Sequence, residues 1–254
     1  MPKRERDETP VEERAARCED AERYEDAVLE GRDDALVKLC KMVGCMRRSP
    51  DVTEIEVLLV RFDPATREVV NNNAAGSACV DADFMRRLTK VLFDAPGWTR
   101  AVEGEKSQTE FYPNSVRRRR VKGKPAEVVI KTSRGRVDVP VLNRPYGLRI
   151  NHKEEKLVPP QHHDHVLPRR RDPKSVRTAR TWTVEDAYCA YSCAKVSHGA
   201  TLKDAVKRSE AEMSWEVEVE LRYSEYLFSK CSDVAIADML LQRATQLLGD
   251  IERP

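Results

Sequence analysis

Two stretches far apart in the chain alternate glutamate with apolar, mostly β-branched residues, and that pattern constrains the fold more than any other. Thr53 to Phe62 reads T-E-I-E-V-L-L-V-R-F, and Trp215 to Leu221 reads W-E-V-E-V-E-L. Residues two apart in a strand face the same side, roughly 6.6 to 6.8 Å apart. Glu54 and Glu56 therefore project together, as do Glu216, Glu218 and Glu220. Ile55, Val57, Val217 and Val219 form the opposite faces, which must be covered. Five carboxylates brought together in a poorly solvated interior repel one another by several kcal/mol unless cations offset them. A hard divalent ion with an oxygen shell, Mg2+ or Mn2+, is the simplest counter-charge, and carboxylates left over can orient or deprotonate a water.

The chain between these strands has the opposite charge. Overall, 45 basic and 43 acidic residues leave a net charge of only +2. Yet Pro113 to Arg180 holds 19 basic and 6 acidic residues, while Met1 to Ala35 holds 13 acidic and 7 basic. The middle of the chain should therefore attract an anion. Either glutamate strand alone would pass for a solvent-facing edge. An E-x-E strand, a Lys/Arg-dense β region and an E-x-E-x-E strand together supply both halves of a phosphoryl-transfer site, a metal seat and a phosphate grip.

The remaining sequence sets the frame. Seven cysteines, odd in number and without a C-x-x-C pair, argue against a disulfide framework or structural zinc. The N-terminus has no apolar signal core and no stretch reaches the roughly 18 apolar residues of a spanning helix, so the reading is intracellular with no membrane partner. Residues 1 to 22 read as a disordered charged tail, and 23 to 254 as one catalytic domain. Helical spacing runs between Tyr24 and Met46, again from Asp81 as cap through Phe84, Leu88 and Leu92, and over Val234 to Leu248. Asn71 to Asn73 reads as a turn. From Thr109 to Tyr191, short β runs (Ser115 to Val121, Ala126 to Thr132, Arg136 to Val141, Leu148 to Asn151, Thr178 to Val184) suit an antiparallel meander that closes. The expected fold is α+β, a closed antiparallel β-barrel with a polar bore and helices packed outside. Gln161 to His165, after two prolines, reads as a mobile loop. Cys189 and Cys193 lack an acid-base partner in sequence. Trp98, Trp182 and Trp215 read as core anchors, and Arg169 to Arg171 as an exposed loop.

On these residues the chain resembles the fungal and protozoan RNA 5′-triphosphatases of messenger RNA capping, which are triphosphate tunnel metalloenzymes; in size and tail it looks most like a kinetoplastid member. E-I-E-V at 54 to 57 is similar to their first glutamate motif and E-V-E-V-E at 216 to 220 to their last. S-V-R-R-R-R-V-K, V-V-I-K-T-S-R, Y-G-L-R-I-N-H-K-E-E and R-T-A-R-T-W look like the internal basic strands, so the resemblance covers about residues 50 to 222. It implies Glu54, Glu56 and Glu220 as metal ligands, and Glu216 and Glu218 as holders of waters and nucleophile. It implies Arg118, Arg120, Lys131, Arg149 and Arg180 as the phosphate grip, with Glu155 as a supporting carboxylate. Where the family shows R-I-D-L-T, this chain reads A-Y-S-C-A-K. The implied reaction is hydrolysis of the γ-phosphate of triphosphate-ended RNA, and of nucleoside triphosphates with manganese. The implied setting is the nucleus, with a capping guanylyltransferase as partner. The branch of the same fold with thiamine triphosphatases and adenylate cyclases reads E-x-E-x-K, and Leu58 stands at that lysine's position; a tripolyphosphatase or thiamine-triphosphatase-like enzyme of the same fold is one alternative. A non-catalytic RNA-binding module is the other alternative.

Overall fold

The computed structural model describes residues 29–63, 65–70, 80–94, 98–142, 144–168, 172–211 and 214–251. The expected tail, the Asn71 turn and the Arg169 loop lie outside them. Eight strands close into an antiparallel barrel: β1 (Thr53–Arg61), β2 (Arg100–Phe111), β3 (Val116–Val121), β4 (Glu127–Pro140), β5 (Tyr146–Leu157), β6 (Ser175–Glu185), β7 (Cys189–Gly199) and β8 (Ser214–Leu221). Their order around the wall is β1-β5-β4-β3-β2-β6-β7-β8, and β8 returns to β1. The two glutamate strands are thus the pair that closes the barrel, with Glu56 opposite Glu220 and Leu58 opposite Glu218.

The apolar core lies outside the barrel rather than within it. Ile55, Val57, Leu59, Val217, Val219 and Leu221 alternate with the glutamates, are all buried, and share one cluster with Leu39, Val43, Leu240, Leu241 and Ala244. Those partners come from helices α1 (Arg32–Arg48) and α6 (Asp233–Ile251), with α2 (Ala82–Asp94) beside α6. Helix α1 buries Ala35, Leu39, Met42, Val43 and Met46, an i, i+4, i+7, i+8 stripe, and carries Asp33 and Asp34 in its first turn and Arg47 and Arg48 in its last. It spans Arg32 to Arg48 within the expected helical stretch, whose first positions, 24 to 28, lie outside the described residues. Asp81 caps α2 as expected, its Oδ1 accepting from the Phe84 amide at 2.8 Å. Burying one face of each strand under helices leaves the other face free to stay polar.

Several elements differ from the sequence reading. Strand β2 and the second half of β7 fall on R-A-V-E-G-E-K-S-Q and C-A-K-V-S-H-G, which are too polar or too small to signal a strand; closure of the barrel supplies the pairing that propensity does not. The runs at Ala126 and Arg136 are one strand, β4, interrupted by a register shift between Ser133 and Gly135. Pro160–His162 forms a 3-10 turn and His163–Val166 one turn of helix, α3, pinned by a 3.0 Å hydrogen bond between His163 Nε2 and the Val158 carbonyl, so the expected mobile loop is an ordered turn. The short helices α4 (Leu202–Ala211) and α5 (Glu225–Lys230) complete the set.

Gly147 sits where two strands and Phe62 leave no room for a side chain. A Cβ built on Gly147 would lie 2.5 Å from the Val139 carbonyl and 2.6 Å from Phe62 Cε2. Backbone cannot retreat from such a contact without moving the β4-β5 ladder. Gly147→Ala should therefore cost about 1 to 3 kcal/mol of stability, read as a lower urea midpoint with unchanged slope. An unaltered midpoint would mean that the strands separate more easily than this register implies.

Candidate active site

Strand register sends every second residue into the bore. On β1 and β8 these are Glu54, Glu56, Leu58, Glu216, Glu218 and Glu220; facing them on β5 are Arg149, Asn151, Lys153 and Glu155. A cavity of about 720 Å3 is lined by Glu56, Glu216 and Glu218 on one side and by Arg117, Lys131, Arg149, Lys153 and Arg177 on the others.

Oxygens of Glu54, Glu56 and Glu218 lie within 4.8 Å of one another. Glu56 is only 2% exposed, so its charge must be met locally. Lys153 hydrogen-bonds it, and Asn151 Nδ2 donates to its Oε1 at 2.9 Å. Lys131 Nζ sits 2.6 Å from Glu54 and 3.1 Å from Glu155.

The carboxylates divide by their surroundings. Burial pushes Glu54 up, but the charge and hydrogen bond of Lys131, with Lys153 behind, outweigh it and hold the group below the usual carboxylate range. Burial raises Glu218 as well; Lys153 and Lys131 oppose this, Glu54 and Glu216 add to it, and the group stays raised. Burial, then the charges of Glu218 and Glu54, push Glu220 up to about 7. Two of these side chains thus hold a proton more tightly than a free glutamate does, chiefly because they are buried among other carboxylates. Converging hard oxygen donors of this kind fit Mg2+ or Mn2+.

A pH prediction follows for the metal-free protein. The folded state binds a proton at Glu220 more tightly than the unfolded chain does, so this group lowers stability as pH rises from about 4.5 to about 7, and the penalty is complete above that. Its size is on the order of 3 kcal/mol. Added Mg2+ should therefore raise the melting temperature more at pH 8 than at pH 5, where it must first displace the proton. Equal stabilisation at both pH values would separate Glu220 from the ion.

The cationic half of the bore is held as firmly. Arg149 donates to Asp138 through Nε at 2.7 Å and through a terminal nitrogen at 3.1 Å. Arg177 pairs with Glu216. Burial lowers the guanidinium of Arg117, with Glu155 and Glu54 acting to restore it. Burial also lowers His198, against the pull of Glu216, so its imidazole is neutral at pH 7.

The structure thus brings together eight of the residues expected from sequence: Glu54, Glu56, Glu216, Glu218, Glu220, Lys131, Arg149 and Glu155. Within that set Glu218, rather than Glu220, is the third member of the tight oxygen cluster. Arg118, Arg120 and Arg180 are corrected. Arg118 and Arg120 pair with Glu110, and Arg118 also meets the Tyr112 hydroxyl, on the outer face of β2 and β3. Arg180 lies over Trp182 on the outer face of β6. Their odd-numbered neighbours Arg117 and Arg177 enter the bore instead. Lys153 and Asn151 went unnoticed in sequence although they share parity with Arg149 and Glu155, which was signal enough to find them. The thiols of Cys189 and Cys193 are pushed up to about 12, chiefly by burial, and are chemically inert.

No protein-family model and no curated protein sequence matches the chain. Solved structures do. The RNA triphosphatase Pct1 of S. pombe superposes with a TM-score of 0.58 at 17% identity, over 85% of this chain and 90% of that one. The same protein in complex with the Spt5 CTD gives 0.57 at 18%, over 85% and 91%. The RNA triphosphatase domain of a trifunctional mimivirus mRNA capping enzyme gives 0.57 at 12%, over 87% and 97%. At these identities the likeness is one of fold, a closed barrel shared along nearly the whole length.

Proposed function

We propose that this chain is a metal-dependent RNA 5′-triphosphatase of messenger RNA capping, of the fungal and protozoan kind, acting through one catalytic domain from residue 23 onward. The observation that carries the reading is the convergence of Glu54, Glu56 and Glu218 within 4.8 Å inside a bore whose other walls carry cations. The barrel-sharing RNA triphosphatases of S. pombe and mimivirus support it.

Glu54, Glu56 and Glu218 would hold the ion, with Glu220 beside them as a further carboxylate. When bound, Mg2+ or Mn2+ supplies Lewis-acid polarisation of the phosphoryl oxygens and offsets the charge that builds on them. Lys131 and Lys153, which pair with Glu54 and Glu56, are the lysines of the bore that would contact the phosphates. Arg117, Arg149 and Arg177 grip the triphosphate from the remaining walls and keep it extended along the bore. Glu216 orients the attacking water. A bond forms from the water oxygen to the γ-phosphorus as the water gives up a proton to Glu216, the bond to the bridging oxygen breaks, and the diphosphate end leaves with the electron pair. The products are inorganic phosphate and a 5′-diphosphate end, and that end is the substrate a capping guanylyltransferase uses in the nucleus.

The test compares phosphate release from triphosphate-ended RNA, ATP and tripolyphosphate, with magnesium and then manganese. We expect RNA to be cleaved with either ion and ATP with manganese. A strong preference for tripolyphosphate would move the chain to the thiamine-triphosphatase branch, against Leu58, and no release from any of the three would leave an RNA-binding module.

A further inference from the structure

A second cationic surface lies on the outside of the same wall. Across the outer faces of β2, β6 and β7, Lys106 stands directly opposite Arg180 and Arg180 directly opposite Lys195. Lys122, one residue past Val121, extends the row beside Lys106. Neighbouring strands are roughly 4.8 Å apart, so the charges form a line of near-contacts. All four residues line a groove of about 560 Å3 that runs beside α4. Helix α4 is fixed to the outer wall there by a 2.7 Å hydrogen bond from Ser197 Oγ to the Ala205 carbonyl.

Like charges directly opposite on one sheet face are destabilising. In the bore, Lys131, Arg149, Lys153 and Arg177 all have a carboxylate partner. Among the described residues, Lys106, Lys122, Arg180 and Lys195 have none. The row is nevertheless built rather than incidental. The Arg180 guanidinium lies 4.9 Å from the Trp182 ring centroid, and Lys195 Nζ lies 5.8 Å from that of Trp215. Gly104, at φ +63 in the β2 bulge, makes room for Arg180: a Cβ there would lie 2.9 Å from its Nε. A row of like charges held in place by aromatic rings and a glycine offers an arriving anion a ready-made line of contacts.

We infer that this outer groove binds the phosphate backbone of single-stranded RNA just downstream of the 5′ end, an inference that deepens the triphosphatase reading. A line of evenly spaced cations suits a polymer with a charge on every unit. The groove also lies behind the segment whose bore side carries Arg177 and His198, and from Arg180 to the rim at Ser175 is five strand residues, roughly 17 Å. An RNA chain whose triphosphate occupies the bore can cross that rim and lie along the groove within a few nucleotides.

The test is binding of a fluorescent single-stranded RNA with a 5′-hydroxyl end, which cannot be hydrolysed at a triphosphate, to the full chain and to Lys106→Glu/Lys195→Glu. Affinity should fall about tenfold or more, and the slope of log affinity against log salt should flatten by about one to two. KM for triphosphate-ended RNA should rise in parallel while kcat/KM for ATP stays put. Lys106→Gln/Lys122→Gln, at two exposed positions, repeats the test with a smaller effect should the first variant fail to fold. Parental RNA affinity and salt slope in both variants would overturn the inference. Because the probe lacks a triphosphate, absence of phosphate release would defeat the enzymatic reading and leave this result standing.

Discussion

Replacing Glu56 by glutamine should reduce metal-dependent phosphate release by about 1,000-fold or more, roughly 4 kcal/mol of lost transition-state stabilisation. Glu56 belongs to the oxygen cluster and is the most deeply buried glutamate of the bore. The same change leaves the Lys153 ammonium with only the more distant Glu54, 3.9 Å away, and weakening a buried pair from one side costs up to about 3 kcal/mol. Loss of activity could then reflect loss of fold. Glu56→Gln/Lys153→Met separates the two effects: removing both charges should restore the melting temperature toward that of the parent, and activity should stay absent. A folded double variant with parental phosphate release would exclude Glu56 from the chemistry.

The legible and illegible parts of this site differ for a physical reason. Glu54 and Glu56 alternate with Ile55 and Val57, and Glu216, Glu218 and Glu220 with Val217 and Val219, so burial of the apolar partners under α1 and α6 settles which way each carboxylate points. Side chains of opposite character on the two faces of a strand encode its orientation. The same alternation implied that the strands need covering helices and a polar interior, which is the architecture observed. The arginine runs carry no such code. In V-R-R-R-R-V every inner residue is charged and the flanking valines differ in parity, and in S-V-R-T-A-R-T-W Arg177 and Arg180 are three apart and must face opposite sides. Both surfaces of this wall are cationic, one toward the bore and one toward the outer groove, so composition cannot tell them apart. Only the register with β2, fixed by Thr109 opposite Arg177 and Lys106 opposite Arg180, decides. Closure of the barrel likewise recruited β2 and β7, whose sequences would not hold a strand without neighbours on both sides.

Adjacent arginines should therefore answer oppositely to the same substitution. Arg117 enters the bore beside Lys131 and Glu155, whereas Arg118 turns outward to the Glu110 carboxylate and the Tyr112 hydroxyl. Arg117→Ala should lower kcat/KM for ATP with manganese by about 100- to 1,000-fold, the loss of one preorganised cationic contact to a phosphoryl group, and should barely change the urea midpoint. Arg118→Ala should do the reverse. Glu110 is 7% exposed, and truncating its partner leaves a buried carboxylate with only Gln108, Tyr112 and the more distant Arg120 to meet it, costing about 2 to 4 kcal/mol of stability. Activity per folded molecule should remain within about threefold, because nothing on that face touches the bore. Measuring both quantities for both variants tests the register of β3 as well as the role of the bore. If Arg118 carried the kinetic loss and Arg117 the loss of stability, β3 would sit one residue out of the register described, and Arg118 and Arg120 would regain the place in the phosphate grip from which the present pairing removes them.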